Sequence, residues 1–423
     1  MKKYIVFIGF LSLCQIVIGQ GVAPFCAHEE FHRNLLNTNP EYKNAFLEME
    51  RDIYEYTLQL NQNGPKSNFS KVIYTIPVVI HLVVPPGTPI GQGNNLTNQQ
   101  VENGLDLLNQ SFSNEGPFKT NTGVDVEIRF CLARRDPAGK PTNGITRTFS
   151  DLVNDPMCSP GTNANSDAAI KSLVSWDCRQ YVNIWLVTDL FNANFGCGLA
   201  GFAYFPGAPC TVDGIMQEAR YWTSVGGTTV TAHEMGHYFG LDHTFNGGCV
   251  NNNCLLDGDR VCDTPPDNSA SFAPCNTNSC NTDAPDLPDD NTNYMDYSSC
   301  QPVHFSQGQK TRMVATLETR RNYLISSRGC QPVGNLDVVA KDIRFLADLC
   351  GDSLCPIIVA KNEGISTITQ MDIQFYLDGN LVVTNKWTGN LIAGQTQNIS
   401  FNCLSVPEGM HTVSFLLSNP NNG

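Results

Sequence analysis

Apolar positions recur along this chain with two different rhythms, and the contrast between them predicts its elements. Val72 to Val84 is a β-rich apolar run that Pro85-Pro86-Gly87 ends, and it predicts a strand. From Thr97 a capped helix is expected, with Val101, Leu105, Leu108 and Phe112 on one face. Val124 to Leu132 alternates as a half-buried strand, Tyr181 to Val187 is a third, and the glycine-punctuated stretch Gly198 to Pro206 suits an edge strand. Thr228 to Gly240 follows as a helix. Strands and helices interleave, so residues 72–330 predict one α/β or α+β unit, with that helix beneath a twisted sheet. Residues 20–71 precede it: Phe46, Met49, Ile53, Tyr56 and Leu60 fall on one helical face, too few for a separate core. Gly64-Pro65-Lys66-Ser67 punctuates the boundary. From about Gln331 to Gly423 the rhythm becomes short alternating strands separated by turn residues, which predicts an all-β, immunoglobulin-like sandwich. The chain stops just after a strand, so a fragment of a longer protein is expected.

The ends and the composition add a location. Met1-Lys2-Lys3 followed by apolar Tyr4 to Ile18, with Gly19-Gln20 as a small-residue cleavage point, reads as a secretory signal peptide over residues 1–19. Lipid on Cys14, and with it attachment to the cell surface, is the weaker alternative because Leu13 is bulky. No other run is long enough to cross a membrane. Seventeen cysteines behind an export signal imply disulfides. A net charge of −14 argues against nucleic acid or an anionic membrane as partner. Cys249, Cys254, Cys262, Cys275, Cys280 and Cys300 cluster without paired Cys-x-x-Cys spacing, which favours bridges over a second metal site. Asp257, Asp259, Asp263 and Thr264 lie in a Gly/Asn-rich acidic stretch whose oxygen ligands would suit a structural calcium ion.

The chemistry concentrates in His233-Glu-Met-Gly-His-Tyr-Phe-Gly-Leu-Asp-His243. His233 and His237, four apart on a helix, share a face and can share a metal, with Glu234 beside them to take a proton from water. Gly240 can leave the helix at positive φ and return His243 as a third ligand. Three imidazoles and one open position describe a catalytic zinc site. With Asn293-Tyr-Met-Asp-Tyr297 downstream, the pattern resembles the metzincin signature and its methionine turn. Met295 would be the apolar floor beneath the imidazoles, and Tyr297 would reach the metal or an oxyanion.

Further stretches narrow the resemblance: Ile76-Pro-Val-Val-Ile-His81, Ala200-Gly-Phe-Ala-Tyr-Phe-Pro206 and Gly258-Asp-Arg-Val-Cys-Asp-Thr-Pro265. Over roughly residues 26–320 the chain resembles the pappalysin-like metallopeptidases, and among them the bacterial cytophagalysin and ulilysin type. The resemblance implies a secreted zinc endopeptidase acting on proteins or peptides, a structural calcium ion and an N-terminal pro-segment. It also implies the bridges Cys249–Cys280 and Cys275–Cys300, which leaves Cys254–Cys262 as a local one. In relatives a pro-segment cysteine blocks the zinc; here Cys26 is the candidate, unless it pairs with a cysteine such as Cys131. Relatives that cleave at arginine carry an acidic residue where Ser298-Ser299 precede Cys300, so no basic preference is expected. The competing class is a non-enzymatic secreted or surface binding protein with a vestigial metal domain.

Overall fold

The computed structural model describes residues 26, 28–63, 72–153, 167–192, 196–268, 274–281, 285–345, 353–407 and 409–422. The signal peptide, Cys14 and the Gly64 to Ser67 boundary lie outside the described residues. Two helices come first, α1 (His28–Thr38) and α2 (Pro40–Asn63). The next segment interleaves β1 (Tyr74–Val84), α3 (Asn98–Ser113), β2 (Ile128–Leu132), β3 (Ile145–Phe149), α4 (Asp167–Leu173), β4 (Val182–Val187), β5 (Leu190–Asn192), β6 (Gly196–Leu199), β7 (Gly201–Ala203), β8 (Ile215–Glu218), α5 (Val225–Tyr238) and α6 (Gln307–Thr319).

Six strands form one mixed sheet in the order β2-β1-β4-β8-β7, with β3 also on β1. β1 is its spine: its first half pairs with β2 and its second with β3 on one edge, and β4 lies on the other, all parallel. A strand enclosed in this way must be apolar throughout, and β1 is buried from Ile76 to Val84. Only β7 runs antiparallel, to β8, and it ends the sheet. One face packs on α3 and α5 through Ile80, Leu82, Val101, Leu105, Ile184, Ile215, Ala232 and Met235. The helix starts follow from their caps: the Thr97 hydroxyl accepts from the Gln100 amide in a capping box, and the Ser224 hydroxyl accepts from the Gly227 amide at 3.1 Å. The α5 helix therefore starts three residues earlier than the sequence reading, at Val225.

The apolar face expected on α2 has no core of its own. Tyr42, Phe46, Met49 and Ile53 pack on Phe205 and Ala315. Charge reinforces this docking: Glu50 pairs with Arg312 at 2.5 Å and with Arg260 at 3.4 Å. At the C-terminal end, β9 (Val338–Phe345), β10 (Ser353–Leu354), β11 (Pro356–Asn362), β12 (Ile368–Leu377), β13 (Asn380–Leu391), β14 (Thr396–Ser400), β15 (Leu404–Ser405) and β16 (Val413–Ser418) follow one another. They give two three-stranded sheets, β14-β11-β9 and β13-β12-β16, and a two-stranded β10-β15 ladder. The sheets share a core around Ile358, Met371, Ile373, Phe375 and Phe401. The Cys131–Cys330 disulfide ties the last residue of the first unit back to β2, and the Arg135–Asp337 and Arg135–Glu363 ion pairs, at 2.7 and 3.2 Å, join that unit to the strands that follow.

Candidate metal centre and active site

The α5 helix holds His233, Glu234 and His237 on its buried length, and Gly240 ends it at φ +86°, a conformation that L side chains rarely adopt. The turn returns His243 to the first two histidines. Their Nε2 atoms stand 3.1, 3.1 and 3.2 Å from one another. Each opposite nitrogen faces an oxygen: His233 Nδ1 the Tyr294 carbonyl at 2.6 Å, His237 Nδ1 the Leu241 carbonyl at 2.7 Å, and His243 Nδ1 the Glu29 carboxylate at 3.0 Å. A carbonyl only accepts, so the Nδ1 atoms carry the protons and the Nε2 lone pairs converge. Burial holds His233 at about 3 and His237 well below the usual imidazole range, so both are neutral. Three lone pairs aimed at one point repel unless a cation lies between them. Tetrahedral zinc, with Zn–N near 2.0–2.1 Å, sets its ligands about 3.3 Å apart, close to this triangle. The residues fit the ion.

Cys26 completes the group. Its Sγ and the three histidines bring ligating atoms within 4.8 Å of one another, all buried. The thiol also donates to Glu234 Oε2 at 3.3 Å. Burial first, and then the Glu234 carboxylate, push the Cys26 thiol well up, while burial pushes the Glu234 carboxyl well up. The Tyr297 hydroxyl donates to the Cys26 carbonyl at 3.2 Å, and its ring stacks on His233. Met295 is fully buried beside α5; a Cβ on Gly236 would lie 2.5 Å from its Sδ.

The sequence reading missed two neighbours of Cys26. His28 stacks on His237, ring centroids 4.0 Å apart and 9° from parallel, and Glu29 is the partner of His243. Nothing in the spacing of His28 and Glu29 marks them; only the fold brings them to histidines more than 200 positions away. The three expected bridges form, Cys249–Cys280, Cys275–Cys300 and Cys254–Cys262. Cys178–Cys210 and Cys355–Cys403 were not read from the sequence. Because Cys131 bonds Cys330, the Cys26–Cys131 alternative is excluded, and Cys26 is the free cysteine among the described residues.

The four residues suggested for calcium are not gathered. Asp263 accepts from the Ser306 hydroxyl at 2.7 Å and the Gly308 amide at 2.8 Å, and so is taken up at the start of α6. Asp257 accepts from the Asn253 amide at 3.0 Å. Asp259 and Thr264 alone meet, at 2.8 Å. Among the described residues no group of three carboxylates from this stretch converges within 4.8 Å.

The arrangement is that of a metallopeptidase, and the comparisons with known proteins agree. Residues 164–318 match the family model described as pregnancy-associated plasma protein-A. Extracellular metalloprotease 1 of Coccidioides posadasii is 36% identical over 228 residues, covering 51% of this chain and 75% of the relative. An extracellular metalloprotease of Neurospora crassa is 36% identical over 166 residues, 36% of this chain; the match spans about half of that relative's length, 53%. Among solved structures, a Tannerella forsythia promirolysin variant has a TM-score of 0.49 at 26% identity, covering 71% of this chain and 96% of that one. The chain belongs to the pappalysin-like metallopeptidase family. The curated relatives named here are fungal, where the sequence had pointed to a bacterial branch.

Proposed function

We propose that this chain is an exported zinc endopeptidase that cleaves proteins or peptides and is held latent by its own residues 20–71. The observation that carries the reading is the convergence of His233, His237, His243 and Cys26, with Glu234 against the thiol. Zinc held by the three histidines would polarise a scissile carbonyl and acidify a water. Glu234 takes the proton of the attacking water and passes it to the leaving amine. The Tyr297 hydroxyl, released from Cys26, donates to the developing oxyanion. The substrate strand adds to β7, which ends the sheet, where Cys26 now bridges Gly201.

On the same reading residues 1–19 are a signal peptide, 72–330 the catalytic domain and 331–423 an immunoglobulin-like accessory sandwich. A structural calcium ion enters this reading only as what the family resemblance implies, since of the suggested ligands Asp259 and Thr264 alone meet and the ion takes about six to eight oxygens. The test is cleavage of a denatured protein mixture, with cut sites mapped by mass spectrometry before and after limited proteolysis of the N-terminal segment. Cuts that vanish in Glu234→Ala, with zinc still bound, support the assignment. Equal turnover by that variant overturns it.

A further inference from the structure

Strand alternation decides which β8 side chains face α5. Ile215 packs with Ala203, Ala232 and Met235, whereas Met216 packs with Trp185 and Phe202 in the core on the opposite face. Gln217 therefore returns to the α5 side. Its partner across the ladder is Gly201. A Cβ on Gly201 would lie 3.0 Å from Glu234 Cγ, 3.1 Å from Glu234 Oε1 and 3.2 Å from Gln217 Cβ. The carboxylate and the amide side chain thus flank the one point of this pair that has no side chain.

Both residues are fully buried, and their polar atoms are oddly placed for a structural pair. Gln217 Nε2, Gln217 Oε1 and Glu234 Oε1 have no hydrogen-bond partner, while Glu234 Oε2 accepts from the Cys26 thiol. A primary amide unpaired at both ends in an apolar wall is costly, and an apolar side chain of the same size would stabilise the fold more. The amide therefore needs an account in what it does rather than in what it holds together.

We propose that Gln217 is a positioning residue for Glu234. Once Cys26 leaves the site, the Gln217 Nε2–H donates to Oε1 and fixes the carboxylate plane, so that Oε2 stays turned toward the three histidines. In the latent chain the thiol holds that carboxylate, and the amide waits. Gly201 leaves the space in which the two meet. This proposal deepens the reading of Glu234 as the general base and rests on it.

The decisive variant is Gln217→Met, close in volume and without an amide, made in the full chain and assayed after removal of the N-terminal segment. We expect kcat to fall about tenfold to a hundredfold, the worth of one hydrogen bond to a charged group. KM should stay within about twofold and zinc content unchanged, since the amide touches neither substrate nor metal. The melting temperature should hold or rise, which a structural role would not allow. Gln217→Glu, an acceptor facing an acceptor, should lose more than Gln217→Met. Parental kcat in Gln217→Met overturns the proposal, and so does a loss that tracks lowered melting temperature or lost zinc. Glu234→Ala, run alongside, separates the two ideas: if it is inactive while Gln217→Met is fully active, only the positioning role falls. If Glu234→Ala is active, the reading beneath it falls.

Discussion

Gly236→Ala sets helix propensity against packing at the metal site, and the two predict opposite signs. Within α5, replacing glycine by alanine should stabilise by about 0.5–1 kcal/mol through lost chain entropy in the unfolded state. The new Cβ, however, would lie 2.5 Å from Met295 Sδ, 3.3 Å from its Cε and 3.4 Å from Leu241 Cδ1. Carbon contacts relax at about 3.5–4.0 Å, so the thioether must retreat by about 1 Å. In open space a methionine tip would swing aside at little cost, but Met295 is fully buried in the main core. Overpacking of this kind costs about 1–3 kcal/mol, so packing wins by up to about 2.5 kcal/mol. For a unit of this size that lowers the melting temperature by up to about 10 °C. The disturbance reaches the site because Met295 O accepts from the Thr244 amide at 3.2 Å and the adjacent Tyr294 carbonyl orients His233. Scanning calorimetry with saturating zinc and with a zinc chelator should show a smaller stabilisation by the metal than in the parent. Adding Met295→Ala should relieve the crowding and make the double variant's loss smaller than the sum of the singles. A raised melting temperature in Gly236→Ala would refute the reasoning.

Cys26→Ala should raise peptide hydrolysis by the unprocessed chain by about tenfold or more, a loss of about 1.4 kcal/mol or more in the blocking contact; unchanged latency would remove the thiol from the blocking role. Burial holds His81 at about 4 against 6.5 for the free side chain, so the unfolded chain binds more protons between those values. Its contribution is full above pH 6.5 and falls by about 3 kcal/mol as pH drops to 4, so chemical denaturation of His81→Gln should show a flatter pH slope than the parent. Chelating calcium while zinc is kept saturating should lower the melting temperature, with recovery on added calcium but not magnesium; no shift would remove the second cation.

Much of the catalytic layer was legible because it is local. The β1 run, the α3 stripe and the α5 motif each announce themselves within a dozen residues, and three histidines with their glutamate lie between 233 and 243. Elements that depend on distant partners were not. The β3 strand is a five-residue Ile-Thr-Arg-Thr-Phe stretch that is a strand only because it completes the edge of β1. No alternation betrays the β13 strand, because most of its side chains are exposed. The acidic stretch shows why composition misleads: a sequence displays carboxylates but not what they bond, and Asp263 is occupied by the start of α6.

The same distinction between local and distant contacts bears on the proposed latency. Four groups of the candidate site each meet the N-terminal segment through a different atom. Glu234 meets the Cys26 thiol, Tyr297 the Cys26 carbonyl, His237 the His28 ring and His243 the Glu29 carboxylate. Behind them α2 is seated by its own apolar face and by Glu50 on Arg312 and Arg260. A block distributed in this way does not stand or fall with one ligand. Losing the thiol leaves the backbone bridge of residue 26 to Gly201 and the α2 docking in place, so the segment still covers β7. Cys26→Ala should therefore give partial release, and only cutting the chain after α2 and freeing the segment should give the rest.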